Sequence, residues 1–244
     1  MRPDAILGLM RSLAIYYNPV RTWQLRQFYR QLLRPGDLAF DIGAHVGNRA
    51  RAMRAAGARV VACEPQEPFA AFLQRSLPRD IILVRMAVGP HESMAEMAVS
   101  SLHPTVSSLS TSFATAAAPG FAHVRWDRRQ QVRVTTLDRL IASHGLPRYI
   151  KIDVEGFEEE VLKGLGQSVP MLSVEYLPAF RDRTVRVIDM LERLGRYRFN
   201  PVAGEAGGFL WPAWRTAAET RDWLASLPGD APSGDLYTRL SSTL

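Results

Sequence analysis

Leu38-Ala39-Phe40-Asp41-Ile42-Gly43-Ala44-His45-Val46-Gly47 is the stretch on which the reading of the chain turns. Apolar residues run into a turn with glycines four apart, and a helical pattern follows from Asn48 to Ala56. The spacing predicts a strand, a tight loop and a helix N-terminus, an arrangement that lets backbone come close to a bound cofactor. Asp41 is the informative residue. The dinucleotide fingerprint G-x-G-x-x-G has glycine at this position and seats a pyrophosphate on the helix N-terminus. A carboxylate there repels such a phosphate at short range. D-x-G-x-x-x-G therefore suits a nucleoside cofactor that lacks phosphate and carries positive charge. S-adenosylmethionine, with its sulfonium and ammonium, meets that description, and Asp41, Gly43, Ala44 and Gly47 are the loop residues expected to bind it.

The next element strengthens this reading. Arg59-Val60-Val61-Ala62-Cys63-Glu64 reads as a second strand ending in an acid, at about the 20-residue spacing from Asp41 that suits an acid gripping ribose hydroxyls. The bland alternative makes Glu64 a solvated strand end and Asp41 a local cap. Against it stands the expectation that both acids emerge at the carboxyl edge of neighbouring parallel strands, where such folds bind ligands. Asp80 to Met86 reads as a third strand, and Met86 and Ala87 at its end are expected to present backbone to the adenine ring.

A chain of 244 residues suits one α/β domain with small additions. Its 47% hydrophobic and 22% charged residues are those of an ordinary globular protein. The net charge of +6 is carried almost wholly by arginine, since Lys151 and Lys163 are the only lysines. Basicity alone establishes neither an anionic substrate nor nucleic acid as partner. Cys63 is the only cysteine, which excludes an intramolecular disulfide framework and fits a reducing, cytoplasmic setting. No run reaches the ~18 apolar residues of a membrane span.

Two helical patterns come first. Ile6, Leu9, Met10, Leu13 and Tyr17 follow an amphipathic rhythm, and Leu25, Phe28, Tyr29, Leu32 and Leu33 form a second apolar face that Pro35-Gly36 ends. Residues 1–35 are thus expected as a helical extension, with Trp23, Phe28 and Tyr29 in the core, and 36–244 as the main domain. Periodicity dissolves from Ser100 to Arg129, a length that reads as a lid or insertion. Beyond it the pattern predicts strands over Gln131–Thr135, Tyr149–Val154 and Met171–Tyr176, with helices opening at Thr136 and Phe157 and another over Val185–Leu194. Tyr197–Val202, Gly208–Trp211 and Leu236–Leu240 read as closing strands around a helix near Ala217–Leu227. Strands alternating with helices predict a mostly parallel sheet covered on both faces.

Lys151-Ile152-Asp153-Val154-Glu155-Gly156 is the second unusual stretch. Alternation puts Lys151, Asp153 and Glu155 on one face, and charges at a sheet centre are rare unless paired or functional. A salt bridge made by Lys151 accounts for that residue. Asp153 and Glu155 are expected to project into the same crevice as Asp41 and Glu64.

With these stretches in hand, the chain resembles the FkbM-family methyltransferases. The resemblance rests on DIGAHVG, on V-R-V-T-T-L-D from Val132 to Asp138, and on K-I-D-V-E-G-F-E followed by V-L-K-G from Lys151 to Gly164; Val106-Ser107-Ser108-Leu109 is similar to that family's Ser/Thr-rich segment. The matches keep family order from about residue 36 to 176. The resemblance implies a class I, Rossmann-like α/β fold with a mostly parallel seven-stranded sheet, S-adenosylmethionine as cofactor, and O-methylation of a hydroxyl. It maps Asp41, Gly43, Gly47 and Glu64 onto cofactor positions, and Lys151, Asp153, Glu155 and Gly156 onto the family signature.

Other chemistries fit less well. Base methylation commonly uses a D/N-P-P-Y/F motif where this chain has Asp153-Val154-Glu155-Gly156, and a structural zinc site is excluded by one cysteine and scattered histidines. No G-x-S-x-G elbow is present. The expectation is an enzyme that methylates a hydroxyl of a small molecule or saccharide, with Asp153 and Glu155 as catalytic carboxylates and Asp153 favoured as base. A cofactor-binding interaction protein without turnover, and an RNA-directed methyltransferase, are the alternatives. Hard oxygen ligands from the same acids could also hold Mg²⁺, which is not favoured. The acceptor and the oligomeric state stay open.

Overall fold

The computed structural model describes residues 3–100, 109, 126–204 and 208–241. Two helices, α1 (Pro3–Tyr16) and α2 (Pro19–Leu32), lead into β1 (Leu38–Ile42), α3 (Asn48–Ala55), β2 (Arg59–Cys63), α4 (Phe69–Ser76) and β3 (Ile81–Val84). Three short strands follow: β4 (Ala87–Val88), β5 (Ser93–Val99) and β6 (Arg128–Thr135). The second half runs α5 (Leu137–His144), β7 (Tyr149–Ile152), α6 (Glu158–Lys163), β8 (Met171–Tyr176), α7 (Arg181–Leu194), β9 (Tyr197–Ala203), α8 (Ala217–Ser226) and β10 (Gly234–Leu240).

The seven-stranded sheet expected from the sequence is present, in the order β3-β2-β1-β7-β8-β10-β9. Its first five strands are mutually parallel, and β10 runs antiparallel between β8 and β9. The strand order reverses at β1, where β2 and β7 flank it on opposite sides, and a crevice opens outside the carboxyl ends of such strands. Alternation sorts the core. Phe40, Ile42, Ile150, Ile152, Leu172 and Val174 meet α5, α6, α7 and α8 on one face. Ala39, Val60, Ala62, Tyr149 and Tyr237 meet α2, α3 and α4 on the other.

Several local expectations are corrected. Phe28 and Tyr29 are buried in this second layer, whereas Trp23 is 61% exposed, because it lies off the Leu25–Phe28–Leu32 stripe that faces the sheet. The third strand stops at Val84, short of Met86, and Ala87–Val88 turns away to pair with β6 in a separate sheet of order β4-β6-β5. The strand expected at Gln131 already begins at Arg128, where it pairs antiparallel with β5. Gly208–Trp211 is no strand; it is tied to β9 by an isolated bridge, Val202 to Phe209, and by the two hydrogen bonds between the Asn200 side chain and the Trp211 backbone. The expected lid, Ser100–Arg129, lies mostly outside the described residues.

Candidate active site

The crevice at the carboxyl edge holds a cavity of about 920 Å³, counted with its open mouth. Of the residues named from sequence, Asp41, Gly43, Ala44, Glu64, Met86, Ala87, Asp153 and Glu155 line it. Gly47 does not. It stands behind the wall as the left-handed N-cap of α3, with φ of 77°, and a Cβ there would come within 2.8 Å of Leu73.

The β1–β2 wall is built by one local device. Backbone N–H groups of Gly43 and Ala44 donate to the Cys63 carbonyl at 3.0 and 2.9 Å, so the loop after β1 is tied to the end of β2. Gly43 has φ of 83°, and a Cβ at this position would lie 1.8 Å from the Asp153 carbonyl oxygen. This glycine therefore admits the neighbouring strand rather than a ligand. Glu64 folds back under the loop, its Oε2 accepting from His45 N–H at 2.7 Å and its Oε1 from Gln66 N–H at 2.8 Å. Burial pushes its carboxyl up to about 7 in spite of those donors. Asp41 is 1% exposed, and neither of its oxygens has a hydrogen bond of full geometry in the described structure, although the Ala50 N–H is near enough to lower its carboxyl. Burial pushes it up to about 6 against the pull of Lys151 and Arg49.

Strand register brings the second wall alongside. Lys151 lies directly between Asp41 of β1 and Ser173 of β8, and its side chain is 1% exposed. Its Nζ donates to Asp153 Oδ2 at 2.5 Å, which confirms the expected salt bridge. Asp153 keeps a third of its side-chain surface open to the cavity. Burial alone would raise its carboxyl, but Lys151, Arg49 and His45 outweigh it and hold Asp153 below the usual range. Asp153 is therefore ionised at neutral pH.

Glu155 is placed differently from the sequence expectation. The strand ends at Ile152, and Glu155 sits in the turn beyond it with φ of 52°. Two non-glycine residues among those described have positive φ, His45 and Glu155, and both line this cavity. Such backbone costs about 1–2 kcal/mol per residue and gathers at functional sites. Carboxylate oxygens of Asp153, Glu155 and Glu175 all lie within 4.8 Å of one another, a set of three hard ligands that a divalent cation could take. Burial and the charges of its acidic neighbours push Glu155 and Glu175 well above the usual carboxyl range. The cluster thus divides into one carboxyl whose ionised form is favoured and two whose protonated form is favoured.

Sequence reading missed the pair behind this wall. Arg49, at the start of α3, reaches Asp235 of β10 at 3.2 Å; Asp235 is buried and the Arg49 side chain is 11% exposed. Arg49 also lines the cavity. No local pattern announces a contact between residues so far apart in the chain. His45 lies in the loop after β1. Its ring lies 4.3 Å from Phe69 and 5.2 Å from Tyr16, its buried Nε2 has no partner, and burial lowers it to about 4, so it is neutral at pH 7.

Solved structures similar to this chain include a TehB-like S-adenosylmethionine-dependent methyltransferase from Corynebacterium glutamicum, at 12% identity and a TM-score of 0.48 over 95% of this chain and 94% of that one. An O-methyltransferase from Bacillus cereus is 11% identical, with a TM-score of 0.46 over 99% and 92%. A precorrin-6y C5,15-methyltransferase from Geobacter metallireducens is 14% identical, with a TM-score of 0.46 over 91% and 88%. No curated protein matches the sequence. The family described as the methyltransferase FkbM domain matches residues 41–225, most of the chain, from Asp41 through both walls of the cavity to α8. The chain belongs to the FkbM methyltransferase family.

Proposed function

We propose that the protein is an S-adenosylmethionine-dependent O-methyltransferase whose acceptor is a hydroxyl of a small molecule or saccharide. One observation carries the reading: a single cavity has two buried acids, Asp41 and Glu64, on one wall and a partly open carboxylate held by a buried lysine on the other.

The residues present fit the cofactor. Asp41 offers a buried carboxylate without a hydrogen bond of full geometry, which suits an ammonium or sulfonium and opposes phosphate. Each Glu64 oxygen has a lone pair left to accept from a ribose hydroxyl, and Met86, Ala87, Val88 and Met97 give an apolar surface for a nucleobase. When bound, S-adenosylmethionine supplies an electrophilic methyl group on a good leaving group.

Asp153 acts as the base in this reading. An aliphatic hydroxyl becomes strongly acidic as its oxygen gains the methyl group, so a carboxylate with a lowered pKa still accepts the proton. Lys151 keeps Asp153 charged and fixed in orientation. Glu155, whose protonated form burial and its acidic neighbours favour, orients the acceptor by a hydrogen bond. Positioning of the reacting oxygen does much of the remaining work.

Incubation with methyl-labelled S-adenosylmethionine and a cell extract tests the assignment. An O-linked methyl in the isolated product is the expected result. A label on carbon or nitrogen would overturn the hydroxyl assignment while leaving the cofactor assignment intact.

A further inference from the structure

The opposite end of the sheet carries a second groove, of about 1650 Å³ counted with its open mouth, lined by Arg148, Met171, Arg198, Trp214 and Arg239. Arg148 immediately precedes β7 and Asp153 immediately follows it, so the groove and the cavity are separated by roughly 16 Å of extended strand. Arg198 of β9 and Arg239 of β10 are register partners, which puts both side chains on the same face of the sheet, side by side. Arg239 is also the register partner of Met171. Its guanidinium lies over the Trp214 ring, 4.7 Å from the centroid.

Like charges directly opposite one another destabilise a ladder. Elsewhere this chain pairs arginines with acids: Arg49 meets Asp235, Arg54 meets Asp80, and Arg186 meets Glu159. Among the described residues, none of the guanidiniums of Arg148, Arg198 and Arg239 has an ion pair or a hydrogen bond. Glu219 is the acid whose carboxyl Arg198 helps to lower, and its first commitment is to the Thr216 cap, at 2.6 and 2.7 Å. Three exposed arginines thus line one groove with no acidic partner among the described residues. Their forked N–H donors match the oxygens of phosphate, and an aromatic ring already holds one of them in place.

We propose that this groove is a binding site for a phosphate-bearing anion, bridged by Arg198 and Arg239 with Arg148 at its rim, and separate from the methyl-transfer cavity. The phosphate can come from a free phosphorylated molecule or from a lipid headgroup, and two arms of one experiment distinguish them. The full chain, the Arg198→Gln/Arg239→Gln double variant and an Arg54→Gln control are titrated with pyrophosphate by calorimetry. The same proteins are sedimented with phosphatidylcholine vesicles with and without phosphatidylglycerol.

Saturable pyrophosphate binding that weakens about tenfold or more in the double variant, and is unchanged in the control, supports a free ligand. Binding only to the anionic vesicles, lost in the double variant and kept in the control, supports a headgroup. If the wild type binds neither, or if binding survives the double substitution, the proposal fails. Folding of the variant is followed by thermal melting: without anion, removing the facing charges leaves the melting temperature equal or higher, and the anion that binds raises it for the wild type and the control but not for the double variant. A wild type whose melting temperature does not move with pyrophosphate or with anionic vesicles also overturns the site, whatever the variant does.

Discussion

The β1–β2 wall of the cavity carries buried carboxyl groups and its β7–β8 wall half-buried ones, and the walls differ in what holds those groups. On the first wall Glu64 is gripped by two backbone N–H donors and Asp41 by none of full geometry. On the second, Asp153 is fixed by a buried lysine, while Glu155 and Glu175 crowd it from a turn and from the next strand. Backbone donors fix a carboxylate's position without consuming its charge, which suits a binding role. A lysine beside a cluster of acids instead sets which member is ionised, and that division suits proton transfer.

The largest expected effect separates these roles. Asp153→Asn should lower the single-turnover rate of methyl transfer by ~10²–10⁴-fold, the usual contribution of a general base, with cofactor affinity nearly unchanged. Chelator should leave the wild-type rate unaltered; a rate that collapses with chelator and returns with Mg²⁺ would assign the three carboxylates to a cation instead. Because Asp153→Asn leaves Lys151 buried without its partner, it should also cost about 1–3 kcal/mol of stability, measured by urea unfolding.

Next in size is a substitution that joins the two walls. Gly43→Ala puts a Cβ 1.8 Å from the Asp153 carbonyl and forces a side chain onto φ of 83°. A loss of about 3 kcal/mol is expected, together with a damaged β7 wall. If Gly43→Ala melts like the wild type and turns over normally, the close packing of the walls is not what the glycine serves.

A smaller effect distinguishes the walls by pH. Glu64, raised to about 7 by burial, is largely protonated below that pH in the ligand-free protein. A ligand that favours the carboxylate releases this proton, so affinity should rise with pH by up to about tenfold per unit and level off above about 7. The ligand-free fold has the opposite dependence. Stability from holding Glu64 and Asp41 protonated is full below their ordinary values near 4, and is lost as pH rises through about 6 for Asp41 and about 7 for Glu64. Melting curves against pH with and without cofactor should therefore diverge across this window. Parallel curves would mean that Glu64 does not meet the ligand.

The same contrast explains what could be read from the sequence. The first wall is written within one βαβ unit, from Leu38 to Glu64, so glycine spacing and a single acid at the right distance were enough to assemble it. The second wall draws on β7, the turn after it, and β8. Strand alternation placed Lys151 and Asp153 correctly, but it carried Glu155 along a strand that has already ended at Ile152. Glu175 was visible as an acid on a strand, and only register sets it beside Asp153. Arg49 and Asp235 meet because β10 enters the sheet antiparallel, which no local pattern encodes. Trp23 was expected in the core for its ring, while the helix face decided its exposure.

The central claim is that the acids of the β1–β2 wall bind S-adenosylmethionine. Calorimetry of that cofactor and of NAD against wild type and Glu64→Gln tests it most directly. The account predicts one molecule of S-adenosylmethionine bound per chain, affinity weakened by about 1.5–3 kcal/mol in Glu64→Gln, and no heat from NAD. Tight NAD binding, or S-adenosylmethionine binding that Glu64→Gln leaves unchanged, would contradict it.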